Sequence, residues 1–255
     1  MTIHWSAADI VEALDAILDP ERFDDLGPNG LQVPGNQAIT RVALGVSASR
    51  GLIERAIAAD AQLILVHHGL FWNFHPTGLT PVLAERLRPL MRSDVALAAY
   101  HLPLDAHAEH GNNALLAEAL GADTHEPFGD YHGTPIGRAA HFAEPVAIAE
   151  LAARVREVTE REPLLQGAGP DTVTSLGIVS GAGAGSLDEA AAKGLDGLLT
   201  GEPREHVHRD AAELGLHFFA AGHYATETFG VRRLGDLLEA RFGIGHVWVD
   251  EPNAV

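Results

Sequence analysis

The 255-residue chain contains no cysteine. That absence excludes disulfides, thiolate zinc sites, iron–sulfur clusters and thiol catalysis. Any metal must therefore be held by imidazole nitrogen and carboxylate oxygen. Positive charge is scarce: 17 Lys and Arg stand against 35 Asp and Glu, a formal net charge of −18. A general nucleic-acid binder needs a basic face for phosphates, so that class is excluded. The same imbalance repels small anionic ligands unless something local and positive overrides it. Long apolar runs are missing too, and none approaches the length of a membrane span. The first stretch, MTIHWSAADIVEAL, has no basic region leading into a long apolar core, so a secretory signal is not expected. The expected location is the cytoplasm, with no membrane partner.

What remains is ordinary, with one exception. Hydrophobic residues make up 46% and charged residues 20%, the balance of a soluble globular protein long enough for one large domain or two modest ones. The exception is histidine, with 15 residues. Two of them, His67 and His68, directly follow the apolar run Leu63-Ile64-Leu65-Val66, which reads as a strand buried on both faces. Neighbouring side chains on an extended chain point to opposite sides. One strand end could therefore offer nitrogens to two different atoms, such as two metal ions, if the backbone turns there.

Along the chain, Ser6 is placed to cap a helix over Ala7 to Leu18, with Ile10, Val11, Leu14 and Ile17 on one face. Asp25 to Asn36 is turn-rich and reads as irregular; Asn29, Gly30 and Gln32 could bind a ligand or simply connect. Strands are expected at Val42 to Val46, Leu63 to Val66 and Val95 to Tyr100. Helices are expected over Leu52 to Ala59, Pro81 to Met91 and Asn113 to Leu120. This alternation predicts a mostly parallel, helix-covered sheet. Residues 122–142 read as a connecting segment, followed by an amphipathic helix carrying Ile148, Leu151, Val155 and Val158. The second half then echoes the first. Leu176 to Ser180 repeats Leu44 to Ser47, and Ser186 to Glu189 has the form of a capping box. The strand Leu195 to Thr200 ends in Gly201-Glu202, a helix runs from about Pro203 to Glu213, and the strand Leu216 to Ala221 ends in GHYATE. The Gly181–Gly185 stretch lacks the Lys-Ser/Thr of a Walker loop and reads as a tight turn packed close to a neighbour.

Open parallel sheets place ligands at the carboxyl ends of their strands. Here those ends carry His67 and His68, then His101 to Asp105, then His223 with Glu227 at helical i, i+4 spacing. Imidazoles and carboxylates without thiols have the composition of a two-metal hydrolytic site, with ions roughly 3.5–4 Å apart. Two divalent ions against two carboxylates would leave such a site positive and able to attract an anion. In the loop between, Phe71 and Trp72 could stack on a base and His75 could touch substrate, or these rings could pack against the lobe or a neighbouring subunit.

The blocks LVHHGLFW (65–72), YHLPLDAH (100–107), GNNALLA (111–117), TGE (200–202) and AGHYATETFGV (221–231) make the chain resemble, nearly end to end, the Nif-like dinuclear metal-centre family, known in bacteria as GTP cyclohydrolase I type 2 homologues. The resemblance implies that two divalent metal ions are held by His67, His68, Asp105, His223 and Glu227, with Glu227 bridging. It places His101 and Glu202 as neighbours of the ligands. It further implies an α/β protein of two similar lobes, each a mostly parallel sheet flanked by helices, with the metal site between the lobes and six copies in a toroidal homohexamer. The lobes are expected at residues 1–125, carrying the His-His and His-Leu-Pro-Leu-Asp strand ends, and 126–255, carrying the Thr-Gly-Glu and Gly-His-Tyr-Ala-Thr-Glu ends, with a C-terminal strand able to cross back.

The chain departs from the family in its early block, where Leu26 to Asn29 separate Asp25 from Gly30-Leu31-Gln32 and leave a role for Asp25 open. The function expected is a metal-dependent hydrolase acting on a nucleotide-like or phosphoester substrate, a small anionic ligand. The alternative is a non-catalytic metal-binding or regulatory ring protein. Zn, Mn, Fe, Co and Ni all suit the donor set.

Overall fold

The structure is a computed structural model and describes residues 4–255; the first three residues of the N-terminal stretch discussed above lie outside the described residues. In chain order it begins with α1 (Ala7–Leu18), β1 (Gly30–Val33), β2 (Arg41–Ser47), α2 (Arg50–Ala58), β3 (Leu63–His68), α3 (Pro81–Ser93), β4 (Ala96–Ala99) and α4 (Leu102–Ala106). There follow α5 (Asn112–Ala119), β5 (Thr124–Tyr131), β6 (Thr134–Ala147), α6 (Ile148–Thr159), β7 (Leu164–Gly167) and β8 (Thr172–Val179). The last elements are α7 (Leu187–Ala192), β9 (Gly197–Thr200), α8 (Val207–Leu214), β10 (His217–Ala220), α9 (His223–Thr226), α10 (Thr228–Phe242) and β11 (Gly245–Trp248).

Two compact units result. The first comprises the chain up to Leu104 together with Gly230–Glu251; the second comprises Asp105–Phe229 with Pro252–Val255. The chain thus passes from the first unit to the second after Leu104 and returns to the first at Gly230 for its last helix and strand. The cause is apolar burial: Val231, Leu234 and Leu238 of α10 belong to a core shared with α1, and β11 pairs with β2 in parallel.

In the first unit the sheet runs β1-β4-β3-β2-β11, parallel throughout except for the antiparallel edge strand β1. Alternate residues feed opposite faces, as the pleat requires. Val42, Leu44, Leu63 and Leu65 pack with α1 and α10, while Ala43, Ile64, Val66 and Leu97 pack with Leu52 and Ile53 of α2 and Leu90 of α3. Each such leucine contributes roughly 1.5–3 kcal/mol by leaving water. Helix α1 starts at a true capping box. The Ser6 hydroxyl accepts the Asp9 N–H, and the Asp9 carboxylate accepts the Ser6 N–H at 2.8 Å.

In the second unit the sheet runs β5-β6-β8-β9-β10-β7. Only β8–β9 and β9–β10 pair in parallel, so this sheet is mixed where a mostly parallel one was expected. The antiparallel part comes largely from residues 122–142, read as a connector but folded as most of the hairpin β5–β6. Its two-residue turn has positive φ at His132 (50°) and Gly133 (86°), the mirror-image geometry that suits a twisted hairpin. Helices α5 and α6 cover one face through Leu116, Leu151 and Val155, and α7 and α8 cover the other through Leu187, Ala190 and Val207. The expected capping box at Ser186 does not form. Its ψ of 7° belongs to the 3-10 turn Gly183–Ser186 that precedes α7, so its hydroxyl caps nothing.

The repeated pattern is realised. The runs β2-α2-β3-α3-β4 and β8-α7-β9-α8-β10 each build three adjacent parallel strands, and polar residues follow the carboxyl ends of both sets.

Candidate metal centre

In the first unit, β3 delivers His67 and His68 to its end. Their rings lie on the same side of the strand end, with centroids 4.7 Å apart, and His101, just past β4, sits 5.1 Å from His67 and 5.6 Å from His68. One ring nitrogen from each of the three lies within 4.8 Å of the others. Every Nδ1 is engaged from behind. His67 Nδ1 is 2.8 Å from the Tyr100 carbonyl, His68 Nδ1 is 3.0 Å from the Ser47 hydroxyl, and His101 Nδ1 is 2.6 Å from Asp25 Oδ1. A carbonyl or carboxylate only accepts, so neutral His67 and His101 rings carry their proton on Nδ1 and their lone pair on Nε2. This back-anchoring is how metal-binding imidazoles are oriented. Tyr100 is itself fixed, its hydroxyl donating to Asp15 Oδ1 at 2.6 Å; burial and then Asp15 push its phenol well above the ordinary value.

Asp25, whose role the sequence left open, is buried and accepts from four donors. These are His101 Nδ1, the Leu26 N–H (2.6 Å), the Asn29 amide (2.9 Å) and the Leu102 N–H (3.0 Å). Burial pushes its carboxyl up, but His101, Asn29 and the Leu102 N–H outweigh that and hold it below the ordinary value. Asn29 adds a second grip, accepting the His101 N–H at 2.8 Å. Gln32 ties the loops together by accepting the Leu70 N–H and donating to the Pro28 carbonyl, both at 2.7 Å. The Gln32 amide fills the space beside Gly69, where a Cβ would stand 2.3 Å from it, so a larger residue there displaces Gln32. The segment read as irregular thus contains β1 and frames His101. Phe71 packs into the core of this unit, and Trp72 stands edge-on to His101 at 5.1 Å.

In the second unit, Asp105 is buried and its Oδ1 accepts from the Asn112 amide at 2.8 Å and the Ser180 hydroxyl at 2.9 Å. Asn113, fully buried, donates to the Asp105 and Ile136 carbonyls and accepts the Ser180 N–H at 2.7 Å. The GNN block therefore exists to hold Asp105. His223 opens α9, with Nε2 3.1 Å from Glu227 Oε1 and Nδ1 2.5 Å from Glu202 Oε1. Glu227 sits at the break between α9 and α10 with φ −114°, so the i, i+4 pair spans a bend, not one continuous helix. Burial pushes the His223 imidazole down, but Glu227 and Glu202 together raise it to about 9.

Ser180 and the next residue belong to one tight turn, which touches Asp105 on one side and the His223–Glu227 pair on the other. Gly181 has φ +61°, and a Cβ there would lie 2.3 Å from Glu227 Oε1 and 3.0 Å from His223 Nε2. The glycines mark the turn in the sequence but not what the turn approaches. The rings of His107 and His110 stack at 4.8 Å, a pairing the sequence did not reveal, while His206 and His208 are exposed.

The expected residues thus fall into two sets. His67, His68 and His101 gather in the first unit, and Asp105, Glu202, His223 and Glu227 belong to the second. Three imidazoles anchored through Nδ1, two of them with a fixed tautomer, together with buried carboxylates and no thiol, fit a divalent ion of the borderline class.

Known proteins resemble this chain over nearly its whole length. A relative from Pseudomonas aeruginosa, called GTP cyclohydrolase 1 type 2 homolog, is 43% identical over 244 residues, covering 96% of each chain. A solved structure described as protein ybgI, of unknown function, superposes with a TM-score of 0.92 at 35% identity over 98% of this chain and 100% of that one. The crystal structure of TTHA1606 from Thermus thermophilus gives 0.90 at 36% identity, again over 98% and 100%. The sequence profile of Duf34/NIF3 (NGG1p interacting factor 3) matches residues 5–253, and the chain belongs to that family.

Proposed function

We propose that the chain is a dinuclear-metal protein and a hydrolase of nucleotide-like or phosphoester substrates. In this reading His67, His68, Asp105, His223 and Glu227 are the residues that would hold two divalent ions. The observation that carries it is the clustering of the two ligands His67 and His68 with their neighbour His101, one ring nitrogen from each within 4.8 Å of the others and all three rings anchored through Nδ1. The name carried by the Pseudomonas relative supports the same reaction class.

Bound ions would supply Lewis-acid polarisation of a phosphoryl or ring-carbon electrophile and would ease deprotonation of water near neutral pH. The chain's own residues do the positioning. Asp25 fixes the plane of His101, Glu202 fixes His223 through Nδ1, and the Asn112–Ser180 pair holds Asp105. Local positive charge would draw an anionic substrate despite the −18 of the whole chain. Zn, Mn, Fe, Co and Ni all suit these donors. We place the protein in the cytoplasm as a toroidal homohexamer; among the described residues no helix is long and apolar enough to cross a membrane.

The test is turnover by purified protein loaded separately with Zn, Mn and Fe, using GTP, other nucleotides and generic phosphodiesters, with Glu227→Ala as control. Activity that follows metal loading and disappears in the variant is expected, and it would name the bond cleaved. Silence across the panel from metal-replete protein would replace the hydrolase with a non-catalytic metal-binding or regulatory ring protein.

A further inference from the structure

The loop after β3 carries rings that the hydrophobic core does not use. Trp72 and Phe74 lie nearly parallel, with centroids 5.7 Å apart and planes 19° from each other, and Phe74 meets His75 edge-on at 4.9 Å. Phe74 is 64% exposed and belongs to neither core cluster of its unit. The loop is nevertheless tied down. The Asn73 N–H donates to the Leu26 carbonyl at 2.7 Å, and only a glycine at position 27 lets the strands of loop approach, since a Cβ there would lie 2.3 Å from the Phe71 carbonyl oxygen. Trp72 also reaches the imidazole trio, standing 5.1 Å from His101 and 5.9 Å from His68. A tethered aromatic pair, with Phe74 open to solvent and Trp72 half-buried beside a candidate metal centre, is a costly surface to leave uncovered.

We propose that Trp72 and Phe74 form a stacking shelf for the flat ring of a small anionic ligand whose charged group sits at the imidazole trio. This rests on the metal-centre reading above. The complementarity is between two ends: a charged group meets the imidazole end, and a flat apolar ring meets the aromatic end. A nucleoside monophosphate has both ends, whereas a sugar phosphate has only the first. Because every base has a π-face, the shelf favours a base over none without choosing among bases.

The zinc-loaded protein is titrated calorimetrically with AMP and with ribose 5-phosphate, alongside Trp72→Leu and Phe74→Leu. AMP is expected to bind roughly tenfold tighter than ribose 5-phosphate. Either variant should bring AMP down toward ribose 5-phosphate and leave the sugar phosphate unchanged. Phe74 is exposed, so its variant keeps the test open where Trp72→Leu fails to fold. Equal affinities in the unaltered protein, no binding of either ligand at millimolar concentration, or an AMP preference that survives in Phe74→Leu would each overturn the shelf. A changed oligomeric state in Phe74→Leu with AMP affinity intact would assign the rings to contact between copies, and overturns it as well. Zinc content of the same samples separates the two readings: retained zinc without ring preference removes the shelf alone, and failure to take up zinc removes the metal centre with it.

Discussion

Replacing Asp25 by alanine would leave the Leu102 N–H and the Asn29 amide facing a cavity and would free the His101 ring to turn. Leaving such buried donors unpaired costs on the order of 1–3 kcal/mol. The more specific consequence is tautomeric. With Asp25 present, His101 holds its proton on Nδ1; in Asp25→Ala the side-chain nitrogen NMR signals of His101 should move toward a mixture of both forms, and unchanged signals would contradict the role given to Asp25. Gly181 offers a second test at this scale. A methyl group there must enter the space of Glu227 Oε1, at a backbone φ of +61° that costs a non-glycine residue roughly 1–2 kcal/mol. Gly181→Ala should therefore remain folded by circular dichroism yet lose metal, whereas full metal content would show that the turn does not constrain Glu227. Neither residue was evident as a functional position in the sequence. Asp25 was obscured by four intervening residues that the fold closes up, and a glycine announces its φ but not its neighbour.

The elements were legible where their apolar pattern was strong. The strands at Leu63 and Val42 and helices α1, α2, α3 and α6 fall within a few residues of their expected positions, because each buries a face whose period is written in the sequence. The hairpin β5–β6 was not legible, for an identifiable reason. Strand β5 is at the edge of its sheet, contains Pro127 and Gly129, and exposes half of its eight residues, with only Phe128 and Gly129 buried. Proline and glycine inside a strand argue against one, except at an edge where no partner needs the missing N–H. The short edge strand β7 failed to register for a similar reason, with Leu164 and Leu165 both exposed. The turn of the hairpin gives a test of its geometry. Gly133 has φ +86° and open space at its Cβ, so Gly133→Ala should cost about 1 kcal/mol through backbone strain alone, measurable as a lowered denaturation midpoint. No change would mean that the turn is not of the mirror-image type.

For the whole molecule, the sequence carried the class of fold and the residue types of the site and, of the chain's path between units, only that a C-terminal strand could cross back. Alternating strands and helices mark a covered sheet in each half. The return of α10 and β11 to the first unit depends on which apolar faces meet, and periodicity cannot show that. The candidate ligands were legible as strand-end polar residues because doubly covered sheets leave only their strand ends for polar chemistry. What anchors them, from Asp25 to the GNN block, emerges only from the fold. The acidic surface bears on the same point, since a protein of charge −18 gathers an anionic substrate only through local positive charge, and bound metal is the source proposed here. The central claim is accordingly tested by metal content per subunit, determined by elemental analysis of protein reconstituted and then freed of loosely held ions. The account predicts two ions in the unaltered chain and in His208→Ala, and a sharp fall in the His67→Ala/His68→Ala double variant and in Glu227→Ala. Full occupancy in the double variant would contradict it.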